Sequence, residues 1–248
     1  MLSHAVGGWL LLFGVVTAAC SQTAPDATRC GSVPVFGPKD SLNNAGLSVQ
    51  AIDRSVQVGA RGPTFRVRLD PDPEATFTPD ADTRVGWIRI FSCTTGALVQ
   101  SLDVTGRGGP ESFLRFFEVK DVNFDGFLDL GVLRESGATW GRKTWWVFDP
   151  QSTRFVSNDL TRALGTVTAN DLELDAARHT IIAEHIQAVC GGTKDIYDLE
   201  EGRRLVLMHQ ETIVPDEDGS CTVTIHDRIN GQMRVKTERR RQLRGRVE

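Results

Sequence analysis

The chain has 248 residues, 40% of them hydrophobic and 24 of them glycine, which is enough to bury one good core behind a short leader. Its formal net charge is −4, and no basic stripe interleaved with aromatic residues occurs. Composition therefore predicts a medium-sized globular domain and excludes nucleic acid as an expected partner.

Residues 1–20 are interpreted as a signal peptide rather than as part of the fold. The apolar stretch Trp9–Val16 is too short to span a bilayer as a mature helix. Thr17-Ala18-Ala19-Cys20 follows it, and small residues before a cysteine resemble a bacterial lipoprotein signal, in which Cys20 carries lipid. The region before Trp9 contains no Lys or Arg, which leaves the true start site open. With Ser21 next, the resemblance implies a periplasmic protein anchored in the outer membrane.

The remaining four cysteines can form two disulfides in an oxidising periplasm. They include no CxxC pair, so a zinc site is not expected. Three connectivities are open. Cys190 and Cys221 bracket a predicted hairpin and the strand after it, which favours Cys190–Cys221 together with Cys30–Cys93.

Residues 21–46 are rich in small and polar residues without a sustained period, which indicates a tether. Residues 47–237 alternate short strands with turns, which predicts an all-β domain, either a sandwich or propeller-like. Residues 238–248 are interpreted as a solvated basic tail, and one helix of a turn or two is predicted over Asp159–Leu164. The predicted strands are Leu47–Ile52, Thr64–Leu69, Val85–Ser92, Ala97–Asp103, Phe113–Lys120, Phe127–Leu133, Lys143–Phe148, Thr180–His185, Ile196–Leu199, Leu205–His209, Cys221–Asp227 and Met233–Lys236.

One acidic stretch has the spacing of a calcium-binding loop. From Asp121 to Leu130 the sequence reads DVNFDGFLDL, with oxygen-bearing side chains at alternate positions, then Gly126, then a further carboxylate. A hard cation takes several oxygen ligands, and alternate residues of a tight loop can direct them to one point. Gly126 permits the sharp turn. The predicted Ca²⁺ ligands are the side chains of Asp121, Asn123 and Asp125, the backbone carbonyl of Phe127, and Asp129 through water.

This loop departs from an EF-hand in two ways. Val132 replaces the bidentate glutamate of the twelfth position, so a further ligand is needed, for which Glu118 and Glu135 are candidates. Apolar residues alternate on both flanks, which predicts flanking strands rather than helices. The ion is then expected to be structural, because nothing nearby gives a substrate a reason to use it. The alternative is a polar hairpin turn without metal.

No catalytic pattern stands out. The sequence has no G-x-S-x-G elbow, no H-E-x-x-H motif and no P-loop, and no cysteine is left over as a nucleophile. Among its 32 carboxylates, no spacing distinguishes a glycosidase pair. We therefore expect a protein that is not an enzyme.

Aromatic residues concentrate just after the predicted calcium loop. In the strand Lys143–Phe148, Trp145 and Trp146 point to opposite faces, which predicts that both faces are buried. Trp140 instead lies among small residues between two predicted strands. An exposed aromatic on such a loop is a common anchor for a partner. The alternative is that Trp140 only caps the aromatic core.

Three features follow one another in this region: the loop Asp121–Leu130, the pair Ser136-Gly137, and the run TWWVFDP within Thr144–Phe155. In this order they resemble the calcium-binding immunity lipoproteins of bacterium-killing type IV secretion systems. Those proteins are relatives in fold of the periplasmic inhibitor of invertebrate-type lysozyme. Tyr197–Met208 is also similar, so the resemblance covers roughly Phe113 to His209. It implies a β-propeller-like body that binds a peptidoglycan hydrolase and blocks its cleft.

Lysozyme inhibitors of this kind carry an S-G-x-x-Y motif on the loop that they insert. The corresponding residues here are Ser136, Gly137, Thr139 and Trp140, with tryptophan in place of tyrosine. The resemblance therefore implies an inhibitory loop at this position and a lysozyme-like effector as the partner. The competing hypothesis is a calcium-stabilised cell-envelope module that binds glycans or serves assembly and inhibits nothing. A neighbouring gene for a lysozyme-like effector would favour the inhibitor.

Overall fold

The computed structural model describes Cys30 and residues 52–75, 82–107, 117–137, 140–169, 171–188, 190–243 and 246–247. The leader with Cys20, nearly all of the tether, and Thr139 lie outside the described residues. So does the predicted strand Leu47–Ile52, except for its last residue.

Three antiparallel sheets follow one another along the chain, and in each sheet the neighbouring strands are also neighbours in sequence. The first sheet consists of β1 Ile52–Gln57, β2 Thr64–Pro71, β3 Thr83–Ser92 and β4 Leu98–Gly106. The second consists of β5 Glu118–Lys120, β6 Asp129–Ser136, β7 Gly141–Asp149 and β8 Arg154–Val156. After the helix α1 Asp159–Leu164, the third consists of β9 Asp171–Asp175, β10 Thr180–Ala188, β11 Gly191–Glu200, β12 Arg204–Pro215, β13 Ser220–Ile229, β14 Gln232–Leu243 and β15 Arg246–Val247.

The second sheet has a hydrophobic core on each face. Trp146 and Phe148 of β7 pack into the core shared with the first sheet. Trp145 and Val147 pack into the core shared with α1 and the third sheet. The prediction that both faces of this strand are buried is thus confirmed, and the second sheet is the middle layer of the fold.

A glycine in the second sheet makes room for a large buried side chain in this middle layer. Gly131 on β6 lies directly opposite Trp145 on β7. A Cβ at Gly131 would lie 2.6 Å from the indole ring of Trp145, so only glycine leaves room for the ring against the strand. Trp145 is almost completely buried there, and a buried aromatic of this size contributes substantially to a core.

Because each sheet is a meander, its hairpin turns alternate between the two ends of the strands. We call the end that carries residues 121–128 the loop end. There the N–H of Leu128 donates to the carbonyl of Val58 at 2.6 Å, which joins the loop to the β1–β2 turn. The ring of Phe124 stacks on that of His179 in the β9–β10 turn, with centroids 5.3 Å apart. Turns from all three sheets therefore meet at the loop end, and the β6–β7 hairpin lies at the opposite end, which we call the far end.

The cysteines pair in the connectivity that the sequence favours. Cys30 bonds to Cys93 with a Cα–Cα distance of 5.0 Å, and Cys190 bonds to Cys221 at 5.7 Å. Cys93 follows β3 at the loop end, whereas the second disulfide lies at the far end of the third sheet. Two disulfides indicate an extracytoplasmic protein. Within the described residues, no helix is long and apolar enough to cross a membrane.

The structure confirms the all-β prediction and decides between its two architectures. The described strands form layered antiparallel sheets, and they close into no propeller ring. The reason lies in the third sheet, which continues for seven strands instead of dividing into four-stranded blades around a channel. The sandwich is therefore the appropriate description, and the propeller-like body implied by the resemblance is not found.

Several strands extend beyond their predicted bounds, and the extension of β14 is the longest. β14 runs on to Leu243, so the first half of the expected tail is strand. Acidic partners make this extension possible: Arg239 pairs with Asp218 at 2.8 Å, and Arg240 pairs with Glu211 at 3.2 Å.

Candidate functional site

Residues 121–128 form a tight loop between β5 and β6, in which hydrogen bonds hold the predicted ligands together. The N–H groups of Gly126 and Asp125 donate to the two carboxylate oxygens of Asp121 at 2.9 and 3.1 Å. Asn123 Nδ2 donates to Asp125 Oδ2 at 2.8 Å, and the N–H of Phe127 donates to Asp125 Oδ1 at 2.8 Å. The structure therefore gathers Asp121, Asn123 and Asp125 around one turn of backbone.

Backbone conformation explains the glycine of this loop. Gly126 has a φ of +87°, and a Cβ there would meet no atom within 4 Å. Its role is thus conformational and not steric, as the sequence predicts. Phe124 also has a positive φ, of +57°, which a residue with a large side chain adopts only at a cost. Stacking of the Phe124 ring on His179 helps to offset that cost.

Asp129 has a structural role that the sequence did not reveal. Its carboxylate is completely buried, with Oδ2 accepting the N–H of Val122 at 2.9 Å and Oδ1 accepting the N–H of Phe148 at 2.8 Å. It thereby joins the loop to β7. Burial raises the pKa of Asp129 to about 8, since the two N–H groups offset only part of the desolvation and the nearby carboxylates of Asp125 and Asp121 add to it.

The charges of this loop favour a cation. Burial raises the pKa of Asp121, and the neighbouring Asp125 carboxylate raises it further. In the part of the chain that is described, no Lys, Arg or His forms an ion pair with Asp121, Asp125 or Asp129. Two carboxylates, the amide of Asn123 and the carbonyl of Phe127 make a set of hard oxygen donors that fits Ca²⁺. Among the described residues, no three His, Cys, Asp or Glu side chains converge as a metal site, so this set depends on the amide and the carbonyl.

The two candidates for the missing ligand have other partners. Glu118 forms an ion pair with the buried Lys143. Glu135 lies near the far end of β6, away from the loop, where it pairs with Arg142 at 2.6 Å and Arg107 at 3.4 Å. Both carboxylates therefore neutralise cations in this structure, and the identity of the further ligand stays a prediction.

The predicted inhibitory loop is the β6–β7 hairpin. Ser136 and Gly137 are exposed, and the N–H of Gly137 donates to the carbonyl of Trp140 at 2.9 Å. The indole of Trp140 lies over Gly137, since a Cβ at Gly137 would be only 2.2 Å from Trp140 Nε1. Trp140 is half-buried and belongs to neither hydrophobic core. It therefore does not cap the aromatic core, in contrast to the alternative interpretation.

Arg142 supports the Trp140 indole from the first residues of β7. Its guanidinium carbon lies 5.7 Å from the centre of the indole ring, a distance that permits a cation–π interaction. Arg142 is itself held by Glu135 at 2.6 Å and by Thr168 Oγ1 at 3.1 Å. These contacts hold the Trp140 side chain in a defined position at the far end.

A cleft of about 570 Å³ opens at the loop end, and nothing in the sequence pattern indicated it. It lies between the loop of residues 121–128, the β7–β8 turn, the start of α1 and the β11–β12 turn. The polar and charged residues that line it are Asn123, Asp125, Asp149, Asn158, Asp159, Glu201 and Arg203. Only the fold brings these four segments together, which is why sequence reasoning missed the cleft.

No known family model and no curated protein matches this chain. Among solved structures, the fold is similar to that of a protein described as a Xanthomonas type IV secretion system related protein. The similarity has a TM-score of 0.50 at 14% sequence identity, and it covers 80% of this chain and 98% of the other. At this identity the likeness concerns the fold alone.

Asp121→Ala and Asp125→Ala should each abolish a calcium-dependent rise in melting temperature. An ion that binds only the native state adds about 2.7 kcal/mol of stability at a hundredfold excess over its Kd. Thermal unfolding in calcium and in chelator measures this rise. Asp149→Ala is the matched control, because this half-buried aspartate at the loop end accepts only from its own turn. Identical melting of the wild-type protein in calcium and in chelator would contradict the metal assignment.

Asp129→Ala should destabilise the protein whether or not calcium is present. The change leaves the buried N–H groups of Val122 and Phe148 without an acceptor, at about 1–3 kcal/mol each. Urea denaturation in chelator should therefore show a loss of about 2–6 kcal/mol for Asp129→Ala and little change for Asp125→Ala. A loss seen only in calcium would show that Asp129 acts solely as a ligand.

Proposed function

We propose that this protein is a calcium-stabilised periplasmic lipoprotein that binds a peptidoglycan hydrolase, such as a lysozyme-like effector, and blocks its active-site cleft. The observation that carries the proposal is the β6–β7 hairpin. There the Trp140 side chain lies outside both hydrophobic cores and is held in position by Arg142. The fold similarity to a type IV secretion system related protein supports the same assignment. The protein acts as an inhibitor and not as an enzyme.

The chemistry of the hairpin suits a glycan-cleaving cleft, which is lined by carboxylates and by aromatic subsites for sugar rings. The exposed Ser136 hydroxyl can donate to a catalytic carboxylate, and Gly137 lets the backbone approach closely. Trp140 can occupy a sugar subsite by stacking. Because Gly137 and Arg142 already position the indole, less conformational freedom is lost on binding.

Calcium contributes to this function only through the stability of the fold. The metal loop and the β6–β7 hairpin lie at opposite ends of β6, so the ion has no place in the inhibitory contact. Its effect is to hold the loop at which the turns of the three sheets meet.

The lipid on Cys20 anchors the protein in the outer membrane. The disulfides agree with an oxidising compartment. Anchoring places the inhibitor beside the cell wall that it protects.

Trp140→Ala should lose inhibition while it keeps the calcium-bound melting temperature. Truncation of a buried aromatic anchor commonly costs about 2 kcal/mol, or about thirtyfold in affinity. The measurement is the clearing of purified peptidoglycan by a panel of lysozymes of different structural types, at increasing inhibitor concentration.

Trp87→Ala is the matched control. Trp87 is also half-buried and lies near arginines, with the guanidinium carbons of Arg84 and Arg89 at 4.8 and 5.7 Å from its ring, but it belongs to the first sheet. This variant should inhibit like the wild type. If Trp140→Ala inhibits as well as Trp87→Ala, the hairpin is not the inhibitory element. If the wild type inhibits none of the enzymes, the cell-envelope module becomes the better explanation.

Mass spectrometry of the mature protein from its native host should show a di- or triacylated N-terminal Cys20 and no free thiol. The remaining cysteines are paired as Cys30–Cys93 and Cys190–Cys221. A mature protein that begins at another residue, or one that reacts with a thiol reagent without reduction, would contradict this assignment.

A further inference from the structure

Exposed apolar side chains are unevenly distributed over the molecule. Among the described residues, five large apolar side chains are exposed, with between 39% and 62% of their surface accessible: Leu98, Val214, Ile229, Met233 and Val235. Leu98 follows the β3–β4 turn at the loop end. Three more flank the β13–β14 turn, which also points to the loop end, and Val214 is left at the far end. Single exposed apolar residues such as Leu98 are unremarkable, but three on one hairpin indicate a surface that contacts something.

The β13–β14 hairpin presents these side chains on both of its faces. Asn230 and Gly231 have φ values of +52° and +79°, as in the tight two-residue turns that join adjacent strands. Cross-strand pairing places Met233 beside Arg228, whereas Ile229 lies beside Gln232 on the opposite face. All residues from 231 to 237 are exposed. Because exposed apolar side chains lie on both faces of the hairpin, a partner into which the hairpin inserts would bury both faces, whereas a flat partner would bury only one.

This hairpin is also basic, although the chain as a whole is acidic. Residues 228–241 contain six Arg or Lys and one Glu, against a net charge of −4 for the chain. In the half nearest to the turn, Arg228, Arg234 and Lys236 lie among the exposed apolar side chains. Cations beside exposed apolar groups are typical of segments that settle into the headgroup region of an anionic membrane.

The disulfide Cys30–Cys93 gives an independent reason for the loop end to face a membrane. It fixes Cys30 to the β3–β4 turn at the loop end. Cys20 is ten residues earlier, and ten extended residues span at most about 35 Å. The inference that the loop end faces a membrane rests on the Cys20 lipid anchor proposed above. With that anchor, Cys30, bonded to Cys93 at the loop end, stays within about 35 Å of the lipid-bearing residue, which keeps the loop end within reach of the bilayer.

We propose that the β13–β14 hairpin docks into the headgroup region of an anionic lipid bilayer. Docking there orients the domain, so that the hairpin with Trp140 faces the periplasm and its hydrolase target. A second copy of the chain is a poorer partner, because antiparallel pairing of two β14 strands brings their basic side chains together.

Co-sedimentation with vesicles tests this docking without the lipid anchor. The protein is the chain from Ser21 onward, which keeps every described residue, and calcium is included because the acidic metal loop lies at the same end. It should bind vesicles of phosphatidylethanolamine and phosphatidylglycerol, and not vesicles of phosphatidylcholine. Met233→Ser/Val235→Ser and Arg234→Gln/Lys236→Gln should each weaken binding, with a loss of about fivefold for each cation removed.

Two control variants alter equivalent residues at the far end. Val214→Ser removes the remaining exposed apolar side chain, and Arg239→Gln removes an exposed cation from the other half of β14. Both should bind like the wild type, and a thermal unfolding curve for every variant checks that it is folded. No binding to anionic vesicles, equal binding to neutral ones, or equal losses in the controls would overturn the proposal. The protein in this experiment carries no lipid. A failure to bind vesicles would therefore leave the tests of the Cys20 anchor and of inhibition unaffected.

Discussion

The loop of residues 121–128 is the point at which the three sheets are joined, and the buried carboxylate of Asp129 fixes it in place. That carboxylate accepts one N–H from the loop and one from β7, so the loop is tied to the middle sheet. From the same loop, Leu128 bonds to the first sheet and Phe124 stacks on the third. A calcium ion that offsets the charge of Asp121 and Asp125 would thus stabilise contacts among all three layers.

The same geometry gives the molecule two ends with different surfaces. The loop end carries the loop of residues 121–128, the Cys30–Cys93 disulfide and most of the exposed apolar side chains. The far end carries the β6–β7 hairpin, with Trp140 supported by Gly137 and Arg142. This arrangement suits the proposed function, in which the β6–β7 hairpin has to face away from the membrane while the body stays beside it.

Local patterns were sufficient for much of this structure. The alternation through Trp145 and Trp146 predicted two buried faces, and the bounds of the helix Asp159–Leu164 are those expected. The short strand Arg154–Val156 and the acidic strand Asp171–Asp175 were missed, because neither has an apolar alternation long enough to be recognised. The partners of Glu118 and Glu135 could not be predicted, since Lys143 and Arg142 reach them only through strand pairing. The continuation of the third sheet over seven strands also depends on tertiary contacts, which the sequence pattern does not show.

Hydrogen exchange of the protein alone and in complex with an inhibited hydrolase shows which segment of the protein contacts the enzyme. Amides buried in an interface exchange more slowly, and each segment reports its own protection. New protection is expected over residues 136–142 of the β6–β7 hairpin, with exchange in the loop of residues 121–128 and in the β13–β14 hairpin unchanged. Protection that falls instead on the cleft at the loop end, while residues 136–142 exchange as in the free protein, would contradict this expectation.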